Sequence, residues 1–190
     1  MSSIFDQAKA NYPELADKWE RYAALWQSLE VPAHSILLRE GEISQRAFLI
    51  VKGCLRLWFN NKGKDVTFQF ILENQIVASA ESYRKNLPSI FTIETLESCQ
   101  LLTLAKTDFE SMMAELQTIP AAMRQHIDAL FERQLHYMRH FMSFIRDTPE
   151  ERYRNLIQER PELIQRVPLR YIASYLGITP VSLSRIRARI

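Results

Sequence analysis

An α+β fold is predicted: a small antiparallel β barrel or sandwich, then one long helix, then an all-helical C-terminal unit. Short β-like runs rich in Val, Ile, Phe and Thr fill residues 36–104, with turn residues between them. No Gly occurs from Ile119 to Ile145, where apolar side chains recur at helical spacing. Leu163 to Ile190 holds Arg166, Arg170, Arg185, Arg187 and Arg189 and no acid, around a pattern of two short helices.

The opening stretch Phe5–Leu29 reads as helix, because Leu15, Trp19, Tyr22 and Leu25 recur every three or four residues until Pro32 ends the pattern. Strands are expected at Ile36–Leu38, Ala47–Val51, Cys54–Phe59, Val66–Leu72, Phe91–Leu96 and Leu101–Leu104. Gly41, Gly53 and Gly63 fall in turns between such runs, where positive φ is needed. A barrel of this size can enclose a ligand. Thr107 is placed to cap a short helix.

Pro120 stands where a helix tolerates proline, in its first turn. Beyond it Met123, Ile127, Leu130, Met138, Phe141 and Ile145 form an apolar stripe on a helix of about 26 residues, near 39 Å long at 1.5 Å per residue. One barrel cannot cover so long a helix, so its stripe is expected to pair with a second copy in a homodimer. Thr148-Pro149-Glu150-Glu151 starts a new helix, with Thr148 as N-cap, Pro149 at the first position and Glu151 closing a capping box. Asp147 is then the hinge. The resulting division is 1–118, 119–146 and 147–190.

Charge divides the chain in the same place. Residues 1–120 carry 12 basic and 15 acidic side chains, a net of −3, and residues 121–190 carry 12 and 7, a net of +5. Every basic residue after position 120 is Arg, which meets phosphate with a bidentate fork. Cys54 and Cys99 are too few for a disulfide framework or a four-thiolate metal centre. Neither a signal-peptide pattern nor an apolar run of membrane-span length is present, so a cytoplasmic protein is expected.

The most informative segment is Leu169–Ile190. Ile172, Ala173 and Leu176 suit the buried face of one helix, Gly177-Ile178-Thr179 a turn, and Leu183 with Ile186 the buried face of a second helix. Ala173 is small where two helices would cross. Thr179 can cap the second helix, with Pro180 at its first position. Val181, Ser182, Ser184, Arg185 and Arg189 are then left on or near the open face. This pattern is that of a helix-turn-helix, which places its second helix in a major groove of double-stranded DNA. Arg185 is expected at a base edge and Arg170, Arg187 and Arg189 at phosphates.

Together with the turns Arg39-Glu-Gly-Glu and Val51-Lys-Gly-Cys-Leu-Arg, the run Tyr171-Ile-Ala-Ser-Tyr-Leu-Gly-Ile-Thr-Pro-Val-Ser-Leu-Ser-Arg-Ile-Arg resembles the Crp/Fnr family of bacterial transcription regulators. The resemblance implies a cyclic-nucleotide-binding-type β jelly roll, a dimer along the long helix, operator binding through the last helix, and RNA polymerase as a further partner. It also implies a β-hairpin wing after that helix. The sequence ends at Ile190, so a wingless DNA-binding unit is expected.

Members of that family that bind cyclic AMP carry a Phe-Gly-Glu cassette followed by Arg-Ser-Ala, whose Arg neutralises the cyclic phosphate. Here Ile76–Phe91 lacks the Gly, offers Glu81 for the Glu and places Ser89 about where the Arg belongs. Glu81, Ser82, Arg84 and Ser89 are the candidate effector-pocket residues, with Arg84 or Lys85 as the available cations. Without the phosphate-binding Arg, cyclic AMP is not the expected effector, and another small molecule or none takes its place.

The remaining constellations are weak. His136 and His140 stand four apart but have no third ligand at matching spacing, and Glu40 and Glu42 flank a turn glycine as structural or solvated groups. Ser182 and Ser184 have no His in a triad context, and no glycine-rich phosphate loop exists. Neither an enzyme, a metal site nor a resident cofactor is expected.

Overall fold

The structure is a computed structural model that describes residues 9, 10 and 13–190. A 3-10 turn at Pro13–Leu15 and helix α1 (Trp19–Ala24) precede eight strands. These are β1 (Gln27–Val31), β2 (Ile36–Leu38), β3 (Arg46–Lys52), β4 (Leu55–Asn61), β5 (Lys64–Ile71), β6 (Ile76–Val77), β7 (Thr92–Thr95) and β8 (Cys99–Ala105). Helix α2 (Ala80–Lys85) lies between β6 and β7. After β8 follow α3 (Lys106–Leu116), α4 (Pro120–Arg146), α5 (Pro149–Glu159), α6 (Pro161–Arg166), α7 (Leu169–Tyr175) and α8 (Pro180–Arg187).

The strands form two antiparallel sheets, ordered β1-β8-β3-β6 and β2-β7-β4-β5. Alternation along each strand sends one set of side chains between the sheets. Leu38, Phe48, Ile50, Leu55, Leu57, Ile71, Ile93 and Leu101 make that inner core. The opposite set on the second sheet is not solvated: Cys54, Phe70 and Leu72, with Leu96 after β7, share one apolar cluster with Tyr153, Leu156, Leu163, Ile172, Tyr175 and Leu183. The C-terminal helices are thus packed on the outer face of β4 and β5.

Two expectations for the N-terminal half need correction. Helix does not reach Leu29: Gln27 to Val31 pair with Thr103 to Cys99 as strand β1, a long-range ladder that overrides the local aromatic spacing. The residues of the expected helix from Phe5 to Gln7, with Ala8, Asn11 and Tyr12, lie outside the described residues. The stripe itself is used, since Leu15 and Tyr22 are buried with Leu116 and Ala122 while Trp19 and Leu25 pack beside them. Thr107 is not a cap. Helix α3 begins two residues earlier than that cap requires, at Lys106, with Ala105 at the N-cap.

Further along, local chemistry and structure coincide. Pro120 is the first residue of α4, and Asp147 leaves the helix in extended conformation. Thr148 accepts from the Glu151 N–H while the Glu151 carboxylate accepts from the Thr148 N–H, completing the capping box. Gly53 has φ +121°, and a Cβ there would run into Sγ of Cys99, so the β3–β4 turn admits no side chain.

Candidate functional site

The exposed basic surface is built by α7 and α8. Ile172, Ala173, Leu176, Leu183 and Ile186 are buried between the two helices and α5. Thr179 Oγ1 accepts from the Ser182 N–H at 3.1 Å and caps α8. Gly177 has φ +69°, and a Cβ would stand 3.0 Å from Cε1 of Phe144 in α4, so the turn is held tight against the end of the long helix. Val181, Ser184, Arg185, Arg187 and Arg189 are exposed and Ser182 is half-buried. Arg170, exposed in the first turn of α7, has its guanidinium 4.6 Å from the Tyr171 ring centroid. Ser184 Oγ donates to the Pro180 carbonyl at 3.0 Å, which fixes its rotamer along the helix.

A second group gathers where the sequence placed an effector pocket. Ser89 Oγ donates to the Phe91 carbonyl at 2.7 Å and lies 2.9 Å from Ser79 Oγ; Ser82 Oγ accepts from the Ser44 N–H at 2.8 Å. All four serines are buried. Glu81 and Arg84 are not among them. Both are exposed, and Glu81 pairs with Lys85 at 2.9 Å along α2. The serine hydroxyls therefore satisfy one another and the backbone, with no guanidinium or ammonium between them.

Along α4, five of the six stripe residues are exposed, with Phe141 at 65% and Ile145 at 74%, and Phe131 beside them at 65%; Met123 is half-buried. The His140 ring stacks on Tyr175 at 4.7 Å and 15°, and its Nδ1 lies 3.3 Å from the Tyr175 hydroxyl. Burial pushes the pKa of His140 down, with His136, Arg160 and Arg152 adding to the effect. Glu40 and Glu42 accept backbone N–H groups of Asn60 and Arg39, a structural use.

Sequence reasoning missed the seam between the helices and the second sheet. Arg56 is 2% exposed in β4 beside its register partner Glu94 of β7, whose carboxylate it meets at 2.6 Å. Its guanidinium also lies 4.0 Å from the ring centroid of Tyr171 and 4.8 Å from that of Trp58. Ser174 Oγ accepts the Thr67 N–H at 2.9 Å and donates to the Asp65 carbonyl at 3.2 Å. Arg166 forks onto Glu73 at 2.9 and 2.7 Å and also reaches Glu97. One signal was visible: an Arg in the middle of an apolar strand.

Arg166, with help from the Gly53 N–H, holds the Glu73 carboxyl down to about 2 against its ordinary 4.5. A carboxylate lowered in this way contributes stability that is present above the unfolded value and lost as pH falls toward the folded one. Melting temperature should therefore drop from about pH 5 downward, and Glu73→Gln should be less stable at neutral pH with a shallower acid decline. Parallel acid profiles for the two proteins would detach this pair from the docking of the helices.

The family model of the cyclic nucleotide-binding domain matches residues 28–115. That is a little under half of the chain and runs from β1 to the end of α3. No curated protein matches the chain in sequence. In structure it is similar to the c-di-GMP responsive global regulator CLP of Xanthomonas campestris, with TM-score 0.71 and 14% identity over 92% of this chain and 90% of that one. FixK2 of Bradyrhizobium japonicum follows with TM-score 0.68 and 16% identity over 86% and 83%. The catabolite activator protein of Thermus thermophilus has TM-score 0.55 and 16% identity over 94% and 85%. At these identities the likeness is one of fold. Residues 28–115 are thus similar to a cyclic nucleotide-binding domain, and the β sandwich followed by a helical C-terminal region is a fold the chain shares with these solved structures.

Proposed function

We propose that this protein is a Crp/Fnr-type transcription regulator that binds operator DNA as a homodimer. The observation that carries the reading is the contrast on α8: Leu183 and Ile186 are buried against α7, while the open side presents Val181, Ser184, Arg185, Arg187 and Arg189 with no carboxylate among them. A capped helix with that surface suits a major groove, Arg185 at a base edge and Arg187 and Arg189 toward phosphates. The apolar stripe exposed on α4 supports dimerisation, and the strand order β1-β8-β3-β6 opposite β2-β7-β4-β5 supports a jelly-roll sensor. RNA polymerase is a partner of the DNA-bound dimer under the same reading. The units are then 1–118 as sensor, 119–146 as dimer helix and 147–190 as DNA-binding unit.

The sensor does not take cyclic AMP. A cyclic phosphate needs charge-assisted bonds, roughly twice as strong as neutral ones, and Ser79, Ser82 and Ser89 hold their hydroxyls in bonds to one another and to the backbone. Gel-shift titration against genomic fragments at two salt concentrations, with and without cyclic AMP, tests both halves. Discrete complexes that weaken steeply with salt, at an affinity indifferent to cyclic AMP, are expected. No complex at either salt would leave a protein-docking module with an unused helix-turn-helix. A cyclic AMP dependence would bring Arg84 or Lys85 into the pocket.

A further inference from the structure

A cavity of about 510 Å³ lies where the C-terminal half of α4, helix α5 and the end of α7 meet, a volume in the range of small-molecule sites. Four guanidinium groups line it, those of Arg139, Arg146, Arg152 and Arg160, against two carboxylates, Asp147 and Glu159. The carboxylates offset these four positive charges only in part. Asp147 is taken by Arg146 at 2.7 Å and by Asn155 Nδ2 at 3.4 Å, and Glu159 is exposed.

Arg152 turns its charge onto two neutral carbonyls, of Asp147 at 3.0 Å and Phe144 at 3.5 Å, and its Nε is buried with no hydrogen-bond partner. Arg160 likewise donates to the Phe70 carbonyl at 3.3 Å, with Glu162 at 3.6 Å. Arg139 is exposed and makes no hydrogen bond or ion pair among the described residues. Arg152, half-buried and without an ion pair, carries a desolvation cost that nothing offsets, and an anion delivered between it and the exposed Arg139 and Arg146 would remove that cost. Leu156, Leu176, Met142 and Phe144 give it an apolar side, and the His140 and Tyr175 rings with His136, Ser143 and Asn155 complete the lining.

We propose that this cavity binds a small organic phosphate, its charged end between Arg139, Arg146 and Arg152 and its apolar body toward Phe144 and Leu176. It is separate from the serine cluster of the β sandwich. Its walls come from the long helix, the Asp147 junction and the α7–α8 unit, so an occupant ties α7 to α4. On the DNA-binding reading above, that sets the angle at which α8 is presented; binding itself does not depend on that reading.

The test is calorimetric titration of the full chain with adenosine 5′-monophosphate and, separately, with inorganic phosphate. Adenosine 5′-monophosphate should bind more tightly than phosphate, and it should shift the NMR ring signals of His140. The double variant Arg139→Ala/Arg146→Ala, both residues exposed and free of the core, should weaken both ligands at least about tenfold. Arg84→Ala, on the sandwich, should leave both affinities unchanged. Absence of binding by either probe, equal affinity in the double variant, or loss in Arg84→Ala instead would each overturn the proposal.

Discussion

Asp at both Leu130 and Met138 should convert the proposed homodimer to a monomer without unfolding the protomer. Both side chains are exposed on α4, at 39% and 47%, so neither change removes core packing within one chain. They belong to a stripe with Ile127, Phe131, Phe141 and Ile145 that runs the length of the 27-residue helix. Carboxylates buried in such a seam without partners lose hydration that nothing replaces. A penalty of about 4 kcal/mol is enough to raise the dissociation constant roughly a thousandfold. Sedimentation velocity should show a single species of one-chain mass, with circular dichroism unchanged. An intact dimer would exclude α4 from the interface.

The second large effect is expected at Arg56. Alanine there strands Glu94 in the sheet, takes away the cation between Tyr171 and Trp58, and opens a space under α7. Removing one partner of a buried ion pair costs about 3–5 kcal/mol, because the survivor keeps its desolvation penalty. Asp65 at 3.5 Å from Arg56 is nearly half exposed and adds little. Denaturant titration should show the loss, and Arg56→Met/Glu94→Leu should recover most of it, since the charge and its partner go together. If Arg56→Ala unfolded like the unchanged protein, the C-terminal helices would be held on the sheet by Phe70, Tyr175 and their neighbours alone.

Local chemistry made the C-terminal half legible. Pro120, the Thr148–Glu151 capping box and the Thr179 cap each act within a few residues of themselves, so spacing alone located the starts of α4, α5 and α8. Gly177 was legible for the same reason. Strand β1 was not, because what makes Gln27–Val31 a strand is its ladder with Cys99–Thr103, some seventy residues away. The two-residue β6 and the short α2 carried no period to read. The candidate site divides likewise. The face of α8 could be read from periodicity, whereas the Arg166–Glu73 fork and the Arg56–Tyr171 stack join positions about a hundred apart. The hydroxyl cluster is intermediate: Ser89 was picked out as a missing cation, but that it bonds Ser79 depends on the packing of α2 against the sandwich.

Whether α8 reads sequence is tested most directly by comparing Arg185→Ala with Arg189→Ala in fluorescence-anisotropy titrations. The duplexes would be an inverted repeat recovered from a random pool, with half-sites about 34 Å apart, and a scrambled control. Arg185→Ala should cost roughly 1–3 kcal/mol on the recovered duplex, little on the control, and relax preference at one base pair per half-site. Arg189→Ala should weaken both duplexes alike and reduce the salt slope by about one. Equal losses for the two variants on both duplexes, or no inverted repeat in the recovered pool, would contradict sequence-specific DNA recognition by this helix.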